Sequence, residues 1–173
     1  MSATNGMITN IWGPPLWHYL HTVSFNYPTK RPSSSHKKNH KQWLLSIGKT
    51  LPCKYCRQNF NKNIKNVRRA NGSVWTLEDA LKNRQTFTRW MYEFHKVVSS
   101  MLGKKTNITF DEVRNRYESF RSQCRKTPKK TDNENGCVYP SDYIYKKCVM
   151  TIVPRKKKVG TFTVLPSCRS KSC

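Results

Sequence analysis

Acidic residues are scarce in this chain of 173 residues. It holds 9 Asp and Glu against 33 Lys and Arg, and its formal net charge is +24. No acid precedes Glu78. A chain of this charge attracts polyanions such as nucleic acid, acidic membrane surfaces or acidic proteins. That attraction is non-specific, so the charge predicts polyanion contact through a basic surface and leaves the chemistry open.

Long apolar runs are also absent. A membrane-spanning helix needs about 18 consecutive apolar residues, and the chain has no such stretch, so we expect no membrane span. The start, "MSATNGMITN", lacks a basic segment followed by an apolar one, so we expect no secretory signal. Seven cysteines in such a chain indicate metal binding or redox chemistry rather than a secreted disulfide scaffold.

Helical patterns dominate residues 11–124. The prolines of "GPPLWHYLH" suit the start of a first helix, on which Gly13, Trp17 and His21 form one stripe. A second helix is predicted over residues 38–49, and a third from the cysteine pair to about Arg69. We therefore predict an all-α fold, a four-helix bundle with a short fifth helix.

The longest predicted helix runs from about Thr76 to Leu102 and ends at Gly103. Its buried stripe is predicted to comprise Phe87, Trp90, Phe94, Val97 and Met101. Thr109 and Glu112 form a capping box that predicts the start of the short fifth helix.

The composition changes after Cys124. Residues 125–136 read as a polar linker, and two stretches, 143–153 and 160–165, are rich in β-branched and aromatic residues. We predict one domain over residues 1–124 and a basic, cysteine-containing extension over 125–173 with a small β-hairpin.

The pair Cys53 and Cys56, in "LPCKYC", permits three interpretations. A structural zinc site needs four ligands, and the chain has no second Cys-x-x-Cys. The pairs His18 with His21 and His36 with His40 are the candidates to complete such a site. A second interpretation is a pair of buried thiols or an inert disulfide.

The third interpretation is a redox-active pair, which is physically the best motivated. A Cys-x-x-Cys at a helix N-terminus has its thiolate stabilised by the helix dipole, and Lys54 and Arg57 add positive charge. Such a pair exchanges between disulfide and dithiol. The electrons then need an acceptor, which these residues alone do not identify.

Three motifs in this order resemble the ERV/ALR family of FAD-linked sulfhydryl oxidases. They are "WGPPLWHYLH" from Trp12, "LPCKYC" from Leu51 and "FTRWMYEFHKVVSSMLGK" from Phe87. The resemblance covers about residues 11–120 and is greatest to the versions in large DNA viruses. It implies a four-helix bundle with a short fifth helix, which agrees with the periodicity.

The resemblance implies that FAD lies at the mouth of the bundle, beside catalytic Cys53 and Cys56. The implied cofactor-binding residues are Gly13, Trp17, His21, Tyr27, Tyr92, His95, Lys96, Ser99, Lys104, Arg116 and Tyr117. Two of these depart from the family, because Lys96 and Ser99 stand where asparagines are common. Tyr117 replaces a common Trp and preserves an aromatic ring.

The family's chemistry implies a cycle in which a substrate thiolate attacks Cys53 and Cys56 passes two electrons to FAD. The electrons then reach O2 and yield hydrogen peroxide. The implied partners are thiol-containing protein substrates, O2 and a second copy in a homodimer. A viral member would act in the virion or the host cytoplasm.

Many family members carry a second, shuttle disulfide on a tail. Cys168 and Cys173, in "CRSKSC", are the candidates here, and two unpaired thiols are the alternative. The pairing of Cys124, Cys137 and Cys148 stays open.

Two rival functions remain at this point. One is a basic nucleic-acid-binding protein with a zinc-stabilised helical core. The other is a structural virion protein on an oxidase fold that has lost its cofactor.

Overall fold

The computed structural model describes residues 6–105 and 107–121, together with the backbone of four short strands. The chain divides into two compact units, Met1–Phe120 and Arg121–Cys173. The assignment of residues 1–124 to an oxidase domain and 125–173 to an extension stays a prediction.

The first unit is a bundle of four long helices with two short ones. The long helices are α1 (Thr9–Phe25), α2 (Ser34–Thr50), α3 (Lys54–Lys65) and α5 (Arg84–Met101). The short ones are α4 (Leu77–Ala80) and α6 (Phe110–Glu118). Helix α1 packs against α5 and α6, and α3 packs against α2 and α5. The all-α bundle with a short last helix is confirmed.

Helix α1 begins at Thr9, before the two prolines that were predicted to start it. The Ile11 N–H donates to the Ile8 carbonyl at 3.1 Å. The Trp12 indole N–H donates to the Met7 carbonyl, also at 3.1 Å. These contacts form a helical turn ahead of the prolines, which a rule based on proline position does not detect.

The helix predicted over residues 76–102 is two helices, so that prediction is wrong. Helix α4 ends at Ala80, and Asn83 caps the start of α5. The Thr86 N–H donates to Asn83 Oδ1 at 2.9 Å, and the Asn83 N–H donates to the Thr86 hydroxyl at 3.2 Å. This reciprocal cap fixes a new helix start inside the apolar pattern. The predicted stop at Gly103 is confirmed, with φ +68°.

The core is built around α5, with contributions from α1, α2, α3 and α4. Phe87, Trp90 and Phe94 of the predicted stripe are buried, whereas Met101 is 46% exposed because it lies in the last turn of α5. Gly48 of α2 packs against the Phe60 ring so closely that a Cβ there would stand 2.1 Å from it. That contact brings α2 and α3 together below the cysteine pair.

The second unit contains two antiparallel strand pairs. Strand β1 (Gln123–Cys124) pairs with β2 (Cys137–Val138), so Cys124 and Cys137 are partners in the backbone register. Strand β3 (Met150–Ile152) pairs with β4 (Phe162–Val164). These two strands form the pair predicted for the hairpin. The predicted linker and the tail cysteines Cys168 and Cys173 lie outside the described residues.

Candidate active site

The cysteine pair lies at the start of α3, as predicted. Cys53 and Cys56 form a disulfide with their Cα atoms 5.2 Å apart. Cys53 caps the helix, and its Sγ accepts a hydrogen bond from the Cys56 N–H at 3.2 Å. Both side chains are half-buried. The positive end of the helix dipole therefore acts on both sulfurs and favours a thiolate when the bond is reduced.

The backbone ahead of the pair is held from two sides. The Arg57 guanidinium donates to the Leu51 carbonyl at 2.5 Å. On the other side, the Met7 N–H donates to the Pro52 carbonyl at 2.6 Å, and Gly6 forms an antiparallel bridge with Cys53. This N-terminal contact could not be predicted from the sequence, because a single bridge has no repeating pattern.

An apolar cavity of about 80 Å³ lies behind Cys56. Its wall includes Gly13, Trp17 and Phe94, with Asn63 as a buried polar group. The Asn63 amide donates to the thioether sulfur of Met101 at 3.4 Å, a weak acceptor. Cys56 is therefore the sulfur that faces the interior of the bundle.

Two further cavities continue from this one between α1, α5 and α6. One, of about 300 Å³, shares Gly13 and Trp17 with the apolar cavity, and Lys104 and Arg116 add positive charge to its wall. The other cavity, of about 220 Å³, shares four lining residues with the 300 Å³ cavity: His21, His95, Arg116 and Tyr117. The three form one elongated site that is apolar near Cys56 and cationic away from it.

Two histidines join α1 to α5 at the centre of this site. His21 Nε2 and His95 Nδ1 lie 3.2 Å apart. The His95 ring stacks on Trp17 with centroids 3.9 Å apart and planes 8° from parallel. His21 Nδ1 is buried without a hydrogen-bond partner among the described atoms. Among the described side chains, the core residue Trp75 has the other buried polar atom without a partner, its Nε1.

Burial keeps both histidines uncharged. It lowers the pKa of His21 to about 3, and the charges of His95 and His18 act in the same direction. Burial, followed by the charge of Lys104, lowers the pKa of His95 to about 4. Near neutral pH one ring therefore donates and the other accepts, and neither adds positive charge to the site.

Tyr117 closes the site from α6. Its ring stacks against His21 and Phe25, with centroids 5.1 and 5.4 Å away. Its hydroxyl lies 3.3 Å from His18 Nδ1 on α1. Sequence reasoning considered His18 only as a zinc ligand, although its position three residues before His21 places it on the same side of the helix.

The family of this chain follows from the match of most of its sequence to one family profile. The sequence profile of the Erv1/Alr family matches residues 14–133. The chain belongs to the Erv1/Alr family.

Relatives of this Erv1/Alr protein occur in viruses and in yeast. An FAD-linked sulfhydryl oxidase of African swine fever virus is 32% identical over 108 residues, which cover 62% of this chain and 80% of the relative. A protein of Acanthamoeba polyphaga mimivirus named "Probable FAD-linked sulfhydryl oxidase" is 27% identical over 124 residues, 72% of this chain and 77% of the relative. The crystal structure of the FAD-binding domain of Erv1 from Saccharomyces cerevisiae is 26% identical, with a TM-score of 0.53. It matches over 65% of this chain and 95% of that domain.

Most residues implied by the family resemblance meet in the elongated site. The residues that line its three cavities are Gly13, Trp17, His21, Tyr92, His95, Lys96, Ser99, Lys104, Arg116 and Tyr117. Tyr27 is the exception. It is fully buried in the core, where its hydroxyl donates to the Leu81 carbonyl at 2.9 Å, and it lines none of the three.

The two departures from the family occupy different positions. Lys96 lines the 220 Å³ cavity, and its Nζ pairs with Glu93 at 3.0 Å. Ser99 is buried in the wall of the 300 Å³ cavity, and its carbonyl accepts a hydrogen bond from the Lys104 N–H at 2.9 Å. The Ser99 carbonyl therefore holds the backbone of Lys104, whose side chain lines the same cavity.

The residues of the site fit a flavin dinucleotide. Aromatic rings suit the planar ring systems, and Lys104 and Arg116 suit a diphosphate. By contrast, no group of three potential metal ligands occurs among the residues with described side chains. Likewise, no described helix is long and apolar enough to cross a membrane.

Proposed function

We propose that this chain is an FAD-linked sulfhydryl oxidase that forms disulfides in protein substrates. The observation that carries the proposal is the position of the Cys53–Cys56 disulfide. It stands at a helix N-terminus with Cys56 in the wall of a cavity that leads to aromatic and cationic groups. The zinc-stabilised nucleic-acid-binding alternative is not favoured, because the family and its relatives are oxidases.

Cys53 receives the substrate in this proposal. A substrate thiolate attacks Cys53 Sγ, the new S–S bond forms, and the Cys53–Cys56 bond breaks with Cys56 leaving as a thiolate. A second substrate thiolate then attacks the substrate sulfur of the mixed disulfide and releases Cys53. The substrate loses two electrons and two protons and gains a disulfide, while the pair becomes a dithiol.

The cavity residues would hold the cofactor and exclude water around Cys56. Bound FAD supplies an acceptor for the two electrons of the dithiol, which then pass to O2 and yield hydrogen peroxide. Trp17, His95 and Tyr117 bring aromatic rings to the wall of the 300 Å³ cavity, and Lys104 and Arg116 would neutralise the diphosphate. The His21–His95 pair is neutral, so it adds no positive charge to the centre of the site.

The partners of this enzyme follow from the same proposal. They are thiol-containing proteins, O2 and a second copy of the chain in a homodimer. The viral relatives support a viral protein. In this proposal it would act in the virion or the host cytoplasm.

A spectrum and one substitution test the function. The purified protein should show the visible absorption of bound flavin in near-stoichiometric amount, and it should consume O2 with dithiothreitol. Cys56→Ser should abolish O2 consumption and keep the flavin, since it removes the sulfur that faces the cavity. Tyr55→Phe, which alters an exposed residue between the cysteines, is the control and should stay active. Colourless protein would instead support a structural virion protein without cofactor.

A further inference from the structure

Helix α3 carries positive charge along one side and no negative charge at all. Its cations are Lys54, Arg57, Lys62 and Lys65, and all four are exposed. At about 100° per residue they fall within roughly 140° of the helix circumference. Cys56, Phe60 and Asn63 occupy the opposite side, toward the interior. We call these four cations the α3 stripe.

The charges of the α3 stripe are not neutralised by the fold. Elsewhere in the first unit, cations pair with acids in Lys41–Glu78, Arg69–Asp79, Lys82–Asp79, Arg89–Glu93, Lys96–Glu93 and Arg114–Asp111. Within the described part of the chain, none of the four stripe residues forms an ion pair. The Arg57 guanidinium also donates to the Leu51 carbonyl, so Lys54, Lys62 and Lys65 are the side chains most available to a partner's charge.

The α3 stripe begins at the residue that follows Cys53. A rise of about 1.5 Å per residue puts Lys65 roughly 16 Å along the axis from Lys54. An extended peptide covers that distance with about five residues. A segment of substrate next to a cysteine held at Cys53 would therefore reach every cation of the stripe.

We propose that the α3 stripe docks an acidic segment that flanks the reactive cysteine of the protein substrate. This inference rests on the proposed oxidase function and names the class of substrate. Charge complementarity identifies the occupant, because the stripe is cationic throughout and the first 77 residues contain no acid. A protein segment is favoured over nucleic acid because the stripe starts at the sulfur that exchanges with a protein thiol. Exposed charges of this kind raise the rate of encounter, and salt weakens them.

Charge reversal at the far end of the stripe tests the proposal. Lys62→Glu combined with Lys65→Glu leaves both cysteines and the three cavities unchanged. Three substrates are compared. Two are reduced dithiol peptides of equal length, one with glutamates and one with glutamines beside the cysteines. The third is dithiothreitol, a small neutral thiol. We expect kcat/KM for the glutamate peptide to fall about tenfold, and its preference over the glutamine peptide to disappear. Bound flavin and the rate with dithiothreitol should stay unchanged.

Lys37→Glu with Lys38→Glu is the matched control, since it reverses two exposed charges on α2. It should keep the peptide preference. Equal kcat/KM for both peptides in the unaltered protein would overturn the proposal. Unchanged peptide kinetics in the Lys62→Glu, Lys65→Glu variant would also overturn it. If that variant then binds a single-stranded DNA oligonucleotide more weakly, the stripe would be assigned to nucleic acid. The proposed function fails separately, if the unaltered protein lacks flavin or does not oxidise dithiothreitol.

Discussion

At the scale of residues, the site depends on two histidines that the fold keeps neutral. His21 is 3% exposed, and its only described hydrogen-bond contact from the ring is His95. The Trp17 ring stacks on His95, and the Tyr117 ring of α6 stacks on His21. Protonation of either ring would put a charge in a space where water is excluded, so the folded state resists it.

Acid should therefore destabilise the protein through these histidines. Their folded pKa values, about 3 and about 4, lie below the ordinary 6.5. Between the folded and the ordinary pKa of each histidine, the unfolded chain binds more protons than the folded one. The stability that the neutral histidines provide is therefore complete above about pH 6.5 and is lost as the pH falls. For His21 alone the free energy of unfolding should drop by about 2 kcal/mol between about pH 7.5 and about pH 5. Urea unfolding at the two pH values measures the drop.

The same measurement on variants assigns the effect. His21→Gln lowers stability at neutral pH but should reduce the pH-dependent drop, because the titrating group is gone. His36→Gln replaces an exposed histidine of α2 and should keep the full drop. An unchanged drop in His21→Gln would show that other groups cause it.

At the scale of elements, α5 carries several of the site residues, so the hydrogen bonds that cap its start matter for the site. His95, Lys96 and Ser99 occupy its second half, and Asn83 fixes its first residue. Thr86 takes part twice, since its hydroxyl also donates to the Ala80 carbonyl at 2.7 Å and so joins α4 to α5.

Loss of the cap should lower stability and leave the site's chemistry intact. Asn83→Ala removes the acceptor for the Thr86 N–H, which costs about 1 kcal/mol in typical helices. Thermal unfolding should therefore occur several degrees lower, while dithiothreitol oxidation at room temperature persists. Gln85→Ala, at an exposed position of the same helix, is the control and should change little. Equal melting temperatures for Asn83→Ala and the unaltered protein would contradict the role of the cap.

The two capping boxes show what the sequence could and could not predict. Thr109 with Glu112 follows the common pattern and was predicted, and the structure has it at the start of α6. Asn83 with Thr86 was missed, because a threonine at the third helical position is not the usual partner and the apolar spacing continues through it. The spacing of apolar residues predicts the helices, whereas the break between α4 and α5 depends on hydrogen bonds that this spacing does not encode.

The site was predicted in a similar, partial way. The residues on α1, α5 and α6 followed from motifs, and ten of the eleven line the three cavities. Tyr27 lies apart from them because it follows α1, where the chain turns it into the core beside Phe87, and its part in cofactor binding stays a prediction. Asn63 and His18 were not predicted as site residues, because each gains its role only from a distant partner, Met101 and Tyr117.

At the scale of the whole molecule, electrons must travel from a large protein substrate to a disulfide that is half-buried. The described core residues all belong to the first unit. Cys168 and Cys173, separated by four residues, remain the candidates for a shuttle that exchanges first with substrate and then with Cys53.

A shuttle would separate large substrates from small ones. Cys168→Ser prevents the tail disulfide, so oxidation of a reduced protein substrate should fall severalfold while dithiothreitol, which reaches Cys53 directly, is oxidised at the original rate. O2 consumption with both substrates measures the ratio. Ser172→Ala alters the tail and keeps both sulfurs, so it should preserve the ratio. Equal loss with both substrates would point to damage to the enzyme as a whole, and no loss with either would mean that protein thiols reach Cys53 without help. In that last case the exposed surface beside Cys53, with the α3 stripe, would have to receive the substrate alone.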